Sequence, residues 1–373
     1  MVSVALERNT SVLITIVSFF VMLSLLVLVH EFGHFVVAKR SGIKVEEFGL
    51  GYPPRLLTVW KHGDTAYTVN AIPFGGFVRM PGEDDPNTVG GFAAKPKLTR
   101  LSVLFAGPFM NFILATVVFT VSFVAGLPEP STEVVTVVSV SKGSPAETGG
   151  LQPGDQIRSM NGQPITMLSQ FIQETAAKKG QQVSLGIERK GQPLSVSLVP
   201  RVNPPQGEGA IGLAMNGEVT AWTVKKLAPG EAFLRGAQQT ASVVFLTVYA
   251  PVLLIRGTIS PEAARPVGPI GIARMTGDAA ARAVNSGWWF PILQLTAFIS
   301  AALGITNLLP FPALDGGRIF FIIVETIRGK RIDPRKEGTI HLVGLAILLM
   351  LMFLVTFQDI ISPLPPIQWP SPF

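Results

Sequence analysis

Two histidines and a glutamate interrupt an apolar segment near the start of the chain. His30, Glu31 and His34 lie in "VLVHEFGHFVVAKR", which continues the apolar run "SVLITIVSFFVMLSLLVLV" at residues 11–29. On a helix, residues four apart share one face, so two imidazoles at this spacing can bind one metal ion. In the H-E-x-x-H pattern the histidines bind Zn²⁺ and the glutamate is the general base of a metalloprotease.

A chance match is the alternative interpretation, in which two histidines of a soluble helix merely face water. Ionisable side chains inside a membrane span are costly, however, and by default they mark a functional site. The apolar surroundings of His30 and His34 therefore favour metal binding. The chain contains no cysteine, so any further ligand must be a histidine, an aspartate or a glutamate.

A third ligand must come from another part of the chain, because catalytic zinc sites usually have three protein ligands and one open position. His62 lies in a loop with basic residues, and His341 lies at the edge of an apolar segment. Asp315 is the better candidate, since it follows two prolines that break a long apolar stretch in "NLLPFPALDGG". Asp315 is also suited to N-cap the following helix, and the two roles are compatible.

The composition indicates a membrane protein with some soluble mass attached. Of 373 residues, 48% are hydrophobic and only 14% are charged, whereas about a quarter are charged in soluble domains. The net charge of +6 alone is compatible with nucleic-acid binding. Basic cytoplasmic loops of a membrane protein explain this charge better, so no nucleic-acid partner is expected.

Four membrane spans are predicted, at residues 11–37, 101–125, 288–327 and 340–357. The first is interpreted as a retained span and not as a signal peptide, because no small-residue cleavage site follows it and the helical pattern continues. Basic residues cluster after the first span and before the fourth, which places both loops in the cytoplasm. A full span at 237–256 would put the second basic loop outside, so that segment is predicted to lie on the membrane or packed beside it.

The motifs together resemble the site-2 proteases, which are intramembrane zinc metalloproteases, and most closely their RseP/RasP branch. HEFGH in the first span is combined with N-x-x-P-x-x-x-x-D-G in the third. "AGPFMN" in the second span, "PVGPIGIARMT" before the third and the soluble insert also match, so the resemblance covers nearly the whole chain. It implies a bound Zn²⁺ with His30, His34 and Asp315 as ligands and Glu31 as catalytic base. Asn307 would orient the substrate or the oxyanion, or else simply end its helix with an amide.

The resemblance also implies two substrate-handling elements. "TAYTVNAIPFGGFVRMPGE" (65–83) alone indicates a surface hairpin, but in the family a hairpin here re-enters the membrane and pairs with the substrate. Its substrate-binding residues would be Gly75, Gly76 and Phe77. The module containing "GSPAETGGLQPGDQIRSMNG" resembles one circularly permuted PDZ domain, where the best-known members have two. Its peptide groove would be formed by Gly209, Ala210, Ile211, Gly212 and Leu213, although a groove that only filters by bulk is equally compatible.

The expected fold is a multi-pass α-helical membrane protein with about four transmembrane helices, an inserted extracytoplasmic α+β PDZ domain and a cytoplasmic-side re-entrant β-hairpin. The expected location is the bacterial cytoplasmic membrane. The expected partners are the lipid bilayer and single-span proteins such as anti-sigma factors after a first cleavage, with remnant signal peptides as further substrates; no oligomer is implied. The expected segments are the first span (1–38), the hairpin region (39–100), the second span (101–127), the PDZ domain (131–217), a membrane-associated helical linker (218–287), the broken third span (288–328), a basic loop (329–339), the fourth span (340–358) and a tail (359–373).

Two other functions remain compatible with these features. A membrane-anchored PDZ adaptor would carry a structural or vacant metal motif. A site that had degraded in this way would be expected to lack at least one of its five polar residues, which are His30, Glu31, His34, Asn307 and Asp315. A metal transporter also places His and Asp in spans, but it needs neither a PDZ module nor a glutamate between the ligands.

Overall fold

The computed structural model describes residues 2–83, 85, 87–262 and 264–370, so the last three residues of the expected tail lie outside the described part. The chain forms two compact units. One, here the membrane unit, runs up to Gly126 and resumes at Lys226–Gln368; the other, the soluble unit, is Leu127–Lys225 with the chain end from Trp369. The elements in order are α1 (Val2–Arg40), β1 (Glu47–His62), β2 (Thr65–Arg79), α2 (Lys97–Gly126), β3 (Leu127–Val140), α3 (Pro145–Thr148), β4 (Gln156–Met160), β5 (Gln163–Pro164), α4 (Leu168–Ala177), β6 (Val183–Arg189), β7 (Gln192–Leu198), β8 (Leu213–Lys225), α5 (Pro229–Ile255), α6 (Pro269–Ser286), α7 (Phe290–Asn307), α8 (Asp315–Arg328) and α9 (Pro334–Ile361).

Five helices in the described part of the chain are long and apolar enough to cross a membrane, which confirms a multi-pass membrane protein. They are Ser11–Arg40 of α1, α2, α5, α7 and Arg335–Ile361 of α9. Four were expected, and α5 is the addition. It packs lengthwise against α2 in the opposite direction: the Leu227 N–H donates to Phe123 O, and the Thr116 hydroxyl donates to the Thr240 hydroxyl at 3.1 Å. The expected position of this segment, on or beside the membrane and not across it, stays a prediction, and the helix begins earlier than residue 237.

The predicted third span consists of two helices with a break at 308–314, where the two prolines lie. α7 ends at Asn307 and α8 begins at Asp315. The chain turns sharply here because glycines allow backbone to approach backbone: a Cβ added to Gly316 would lie 2.2 Å from the carbonyl oxygen of Leu309, and one added to Gly317 would lie 2.4 Å from that of Phe311.

β1 and β2 form a more elaborate sheet than the single hairpin that the pattern indicates. Residues 55–62 pair with 65–70 around a tight turn, as a hairpin would. Residues 47–50 lie between two further segments, since they pair with both 66–69 and 76–79. Segment 76–79 pairs on one side only within the described sheet, so it forms an edge. A two-residue alternation cannot show that one strand has two partners, because it fixes faces and not neighbours.

The soluble unit has its own sheet and core, as expected for a small α+β domain. Its strand order is β7-β6-β4-β3-β8, with β5 paired to β4. The core contains Phe171, Ile157, Leu185 and Val135, all at most 1% exposed. The unit is wider than the expected 131–217, because β3 and β8 pair along their whole lengths from Leu127 with Lys225 to Val140 with Leu213. The first residues of the expected linker, 218–225, are therefore strand.

Candidate metal centre

α1 places His30 and His34 on one face, as their spacing predicts. Both residues are buried, each with 7% exposure, and their Nε2 atoms lie 3.1 Å apart. α2 packs alongside α1 at this point. The two imidazoles thus face each other with nitrogen atoms at a distance suited to a shared ion.

α8 brings Asp315 to the same point. Its Oδ2 lies 3.0 Å from His30 Nε2 and 3.4 Å from His34 Nε2. The N-cap position of α8 is Leu314 and Asp315 is the first helical residue, so the expected N-cap role of Asp315 is not seen. Three potential ligand atoms lie within 4.8 Å of one another. Tetrahedral Zn²⁺ with bonds of about 2.0–2.2 Å separates its ligand atoms by about 3.3–3.6 Å, so small outward adjustments accommodate the ion.

Neighbours on α2 fix the orientation of both rings. His34 Nδ1 lies 2.7 Å from the Val103 carbonyl oxygen, to which it donates, so Nε2 keeps its lone pair for a metal. Asn111 places its amide 3.2 Å from His30 Nδ1, and its Oδ1 is buried with no hydrogen-bond partner. Turning this amide over lets Oδ1 accept from His30 Nδ1–H, which satisfies the orphan atom and frees His30 Nε2 as well. The donor set therefore fits a divalent zinc ion.

Two glycines allow α1 and α2 to meet at this point. A Cβ on Gly33 would lie 2.3 Å from the Ala106 carbonyl oxygen. A Cβ on Gly107 would lie 2.3 Å from His34 Nε2 and 2.7 Å from His30 Nε2. Helices in membranes approach closely through such small residues, and here the absence of a side chain at Gly107 makes room for the ligand atoms.

Glu31 lies on the neighbouring face of α1, against the edge segment of the small sheet. A Cβ on Gly76 would come 3.9 Å from Glu31 Cγ. Gly75 has a φ of +76°, which favours glycine, and lies beside Tyr52 and Val27. The expected substrate-binding segment is thus placed next to the expected catalytic base.

The other candidate site residues lie outside the cluster of His30, His34 and Asp315. Asn307 is half-buried at the end of α7, and in the described part of the chain its side chain makes no hydrogen bond to the three clustered residues. Phe77 stacks on Tyr52 with ring centroids 6.3 Å apart. His62 ends β1, and His341 accepts a hydrogen bond from the Ala313 N–H, so neither joins the cluster.

The expected peptide groove of the soluble unit is mostly a turn and not a strand. Gly209 to Gly212 precede β8, which begins at Leu213, and Ile211 is buried. Carbonyl groups of this turn are occupied internally, since the Ile211 oxygen accepts from Ala146 N–H and the Gly212 oxygen from Ser141 N–H. β8 is nevertheless an edge strand in the described sheet.

The sequence alone gives no role to Gly107, Asn111 or Val103, although Gly107 and Asn111 lie in "AGPFMN", one of the motifs that resemble the family. A buried asparagine in an apolar helix is the signal that points to Asn111, because its polar groups require a partner. The Val103 contribution is a backbone carbonyl, which leaves no trace in residue type.

Ion pairs near both ends of α8 connect this helix to its neighbours. Arg100 of α2 donates to the Glu325 carboxylate at 2.8 Å, and both residues are buried. Arg318, one turn after Asp315, pairs with Glu83 at 2.9 Å. Glu83 follows β2, so this pair links the helix that carries Asp315 to the segment beyond the small sheet.

Residues 18–351 match the family model described as peptidase family M50. The chain belongs to peptidase family M50. Zinc metalloprotease RasP of Oceanobacillus iheyensis is 30% identical over 436 residues, which cover 93% of this chain and 98% of that protein. A protein of Clostridium acetobutylicum is 35% identical over 343 residues, covering 91% of this chain and 95% of its own length. The regulator of sigma-W protease RasP of Bacillus subtilis is 28% identical, covering 93% of this chain and 98% of that protein.

As a member of family M50, the site-2 protease family, the chain is a zinc metalloprotease with Zn²⁺ as its cofactor, as the motifs predicted. Two solved structures are also similar to a part of it, and both are PDZ domains of SdrC-like proteins. The one from Listeria innocua is 27% identical and covers 22% of this chain and 93% of that chain, with a TM-score of 0.21. The one from Listeria monocytogenes is 23% identical, covers 23% and 92%, and has a TM-score of 0.21.

Proposed function

We propose that this M50 protease cleaves peptide bonds within transmembrane segments, with His30, His34 and Asp315 holding the zinc ion and Glu31 as catalytic base. The observation that carries the proposal is the convergence of these ligand atoms from α1 and α8. The two histidines lie on α1, which is long and apolar enough to cross a membrane, and so is α2 beside it. When bound, Zn²⁺ supplies Lewis-acid polarisation of a carbonyl and activation of water.

The residues of the chain supply the remaining chemistry. Glu31 accepts a proton from the attacking water and passes it to the leaving amine, which is a general acid–base role that contributes about 10²–10⁴-fold. Asn307, at the end of α7, orients the substrate or donates to the developing oxyanion.

A transmembrane substrate must be unwound before cleavage, because a helix hides its carbonyls in hydrogen bonds four residues apart. The edge segment 76–79 supports this step, since its free edge can accept an extended substrate as an added strand beside Glu31. Gly75, Gly76 and Phe77 would form this surface. The sheet would accordingly re-enter the membrane from the cytoplasmic side.

The substrates would be single-span proteins already shortened by a first cleavage, such as anti-sigma factors, and remnant signal peptides. The name of the Bacillus subtilis relative connects that protein with sigma-W. The protease would lie in the bacterial cytoplasmic membrane with the soluble unit outside, where the edge of β8 and the turn at 209–213 would receive or filter substrate ends. The basic loops support this orientation.

Replacement of Glu31 by Gln tests the central assignment. The purified full chain is expected to hold about one zinc per chain, and E31Q is expected to keep it while cleaving a transmembrane model peptide at least about 100-fold more slowly. His34→Ala is the matched control and is expected to lose the metal, as measured by elemental mass spectrometry. Retained cleavage by E31Q would overturn the role of Glu31, and zinc retained by H34A would overturn the ligand set.

A further inference from the structure

The segment between α7 and α8 must satisfy its own backbone without a helix. Residues 308–314 contain two prolines, which have no N–H, and five residues that do. Four of these five N–H groups donate within the segment or back to α7: Leu308 to Ile305, Leu309 to Thr306, Phe311 to Leu309 and Leu314 to Phe311. The N–H of Ala313 is the exception, and its partner is a side chain.

That partner is His341 on α9, whose Nδ1 lies 2.9 Å from the Ala313 nitrogen. His341 is 28 residues away in sequence, so the hydrogen bond joins the segment to another helix. Its acceptor role fixes the proton on the other ring nitrogen, Nε2. The ring is further held against Phe321 of α8, with centroids 5.4 Å apart.

This hydrogen bond is made at a residue with a strained backbone conformation. Ala313 has a φ of +78°, which a residue with a Cβ rarely adopts and which persists only where the surroundings enforce it. Asp315 lies two residues further on, so the direction of the chain at Ala313 sets where that carboxylate points. A cavity of about 230 Å³ lies beside the segment, between Pro312 and α9.

α9 also makes a close backbone contact with the segment. A Cβ on Gly344 would lie 2.3 Å from Pro312 Cβ and 2.9 Å from its carbonyl oxygen. Gly344 stands one turn after His341 on the same helix, so the two residues approach the segment at adjacent points.

We propose that His341 is a positioning residue for the metal site: by accepting the Ala313 N–H it holds the strained 308–314 segment, and thus Asp315, where the ligand atoms converge. This inference rests on the proposed role of Asp315 as a ligand. His341 itself does not contact the metal, and its effect passes through the backbone. Partners that orient ligands in this way commonly change metal affinity by about 10–100-fold when they are removed.

His341→Phe tests the proposal, because phenylalanine keeps a ring against Phe321 and has no acceptor. The affinity of the full-length, detergent-purified protein for Zn²⁺ is measured by competition with a chromophoric chelator. H341F is expected to bind zinc at least about tenfold more weakly. His341→Asn is expected to restore most of the affinity, because the asparagine Oδ1 and the histidine Nδ1 stand two bonds from Cβ and both accept.

Two further variants separate positioning from a general structural role. Ala313→Gly in the H341F background is expected to recover part of the affinity, since glycine adopts a positive φ without strain. Val343→Ala, on the same helix and lining the same cavity, is expected to bind zinc as the wild type does. Thermal unfolding of the metal-free variants shows whether they fold; if H341F does not, the A313G/H341F double variant takes its place in the comparison with H341N.

The outcomes distinguish this inference from the proposed function. Unchanged zinc affinity in H341F, or equal weakening in H341N and H341F, would overturn the positioning role of His341. Asp315→Ala is measured alongside them. Zinc lost in D315A but retained in H341F would reject only the positioning role, whereas zinc retained in D315A would reject the ligand assignment on which it rests.

Discussion

Replacement of Gly107 by Ala is expected to disable the metal site through a single added methyl group. The Cβ would lie 2.3 Å from His34 Nε2 and 2.7 Å from His30 Nε2, whereas ordinary contacts begin near 3.4 Å. Relief therefore requires a movement of about 1.1 Å, the difference of these distances, by the ring or by α2. Catalytic constellations tolerate displacements of only about 0.5 Å.

The steric cost of the added methyl group is opposed by the higher helix propensity of alanine. Alanine in the interior of a helix is intrinsically more stable than glycine by about 1 kcal/mol, so propensity alone predicts a harmless or stabilising change. A displacement of about 1 Å costs on the order of 100-fold in rate, or about 2.7 kcal/mol. The steric effect should win, and G107A should fold while losing at least about 100-fold in kcat/KM.

The assay pairs zinc content, by elemental mass spectrometry, with cleavage of a transmembrane model peptide. Gly230→Ala is the control: Gly230 lies in the first turn of α5, and a Cβ there would meet nothing within 4 Å. G230A should match the wild type in both measurements. Wild-type zinc content and cleavage in G107A would refute the reasoning, because they would mean that the ligand atoms are not where the glycine makes room for them.

Two further predictions concern the soluble unit and the fifth apolar helix. In the soluble unit, the Arg189 guanidinium donates to the Asp155 carboxylate at 2.7 Å and holds the pKa of that carboxyl below its usual value. The contribution of this pair to the stability of the folded unit is therefore complete above the usual pKa of about 4, and it is lost as the pH falls through the lower pKa of the folded state. The free energy of unfolding of residues 127–225, measured with urea between pH 5 and pH 2, should depend less on pH in Arg189→Met than in the wild type. If α5 does not cross the membrane fully, a cysteine introduced at Thr258 should react with an impermeant reagent from the outside, and labelling only from the cytoplasm would establish α5 as a span.

The sequence was sufficient to predict the site where metal-binding residue types also follow the spacing of a helix. The four-residue spacing of His30 and His34 predicts a shared face on any helix, and the structure has them on one. A carboxylate beside two prolines in an apolar stretch is costly without a partner, which predicts Asp315 as the third ligand. The structure brings its Oδ2 within 3.4 Å of both rings. Its additional N-cap role was wrong, since helix α8 begins one residue earlier than that role requires.

The sequence was insufficient where the partner is a backbone group or a distant element. The Val103 carbonyl that orients His34 could have been supplied by any residue type. The second pairing of residues 47–50 depends on how two strands fold back on each other, which alternation does not encode. His341 illustrates the same limit: its residue type suggested a ligand, and only the three-dimensional arrangement shows that it accepts from Ala313.

Contacts within the chain hold the residues that we propose as zinc ligands. His34 is held by Val103, α8 is held to α2 by the buried Arg100–Glu325 pair, and the 308–314 segment is held by its own hydrogen bonds and by His341. The His34–Val103 contact is buried, so breaking it would leave polar groups without partners and would be costly. Because these contacts belong to the chain itself, we expect the affinity for zinc to fall when any one of them is removed.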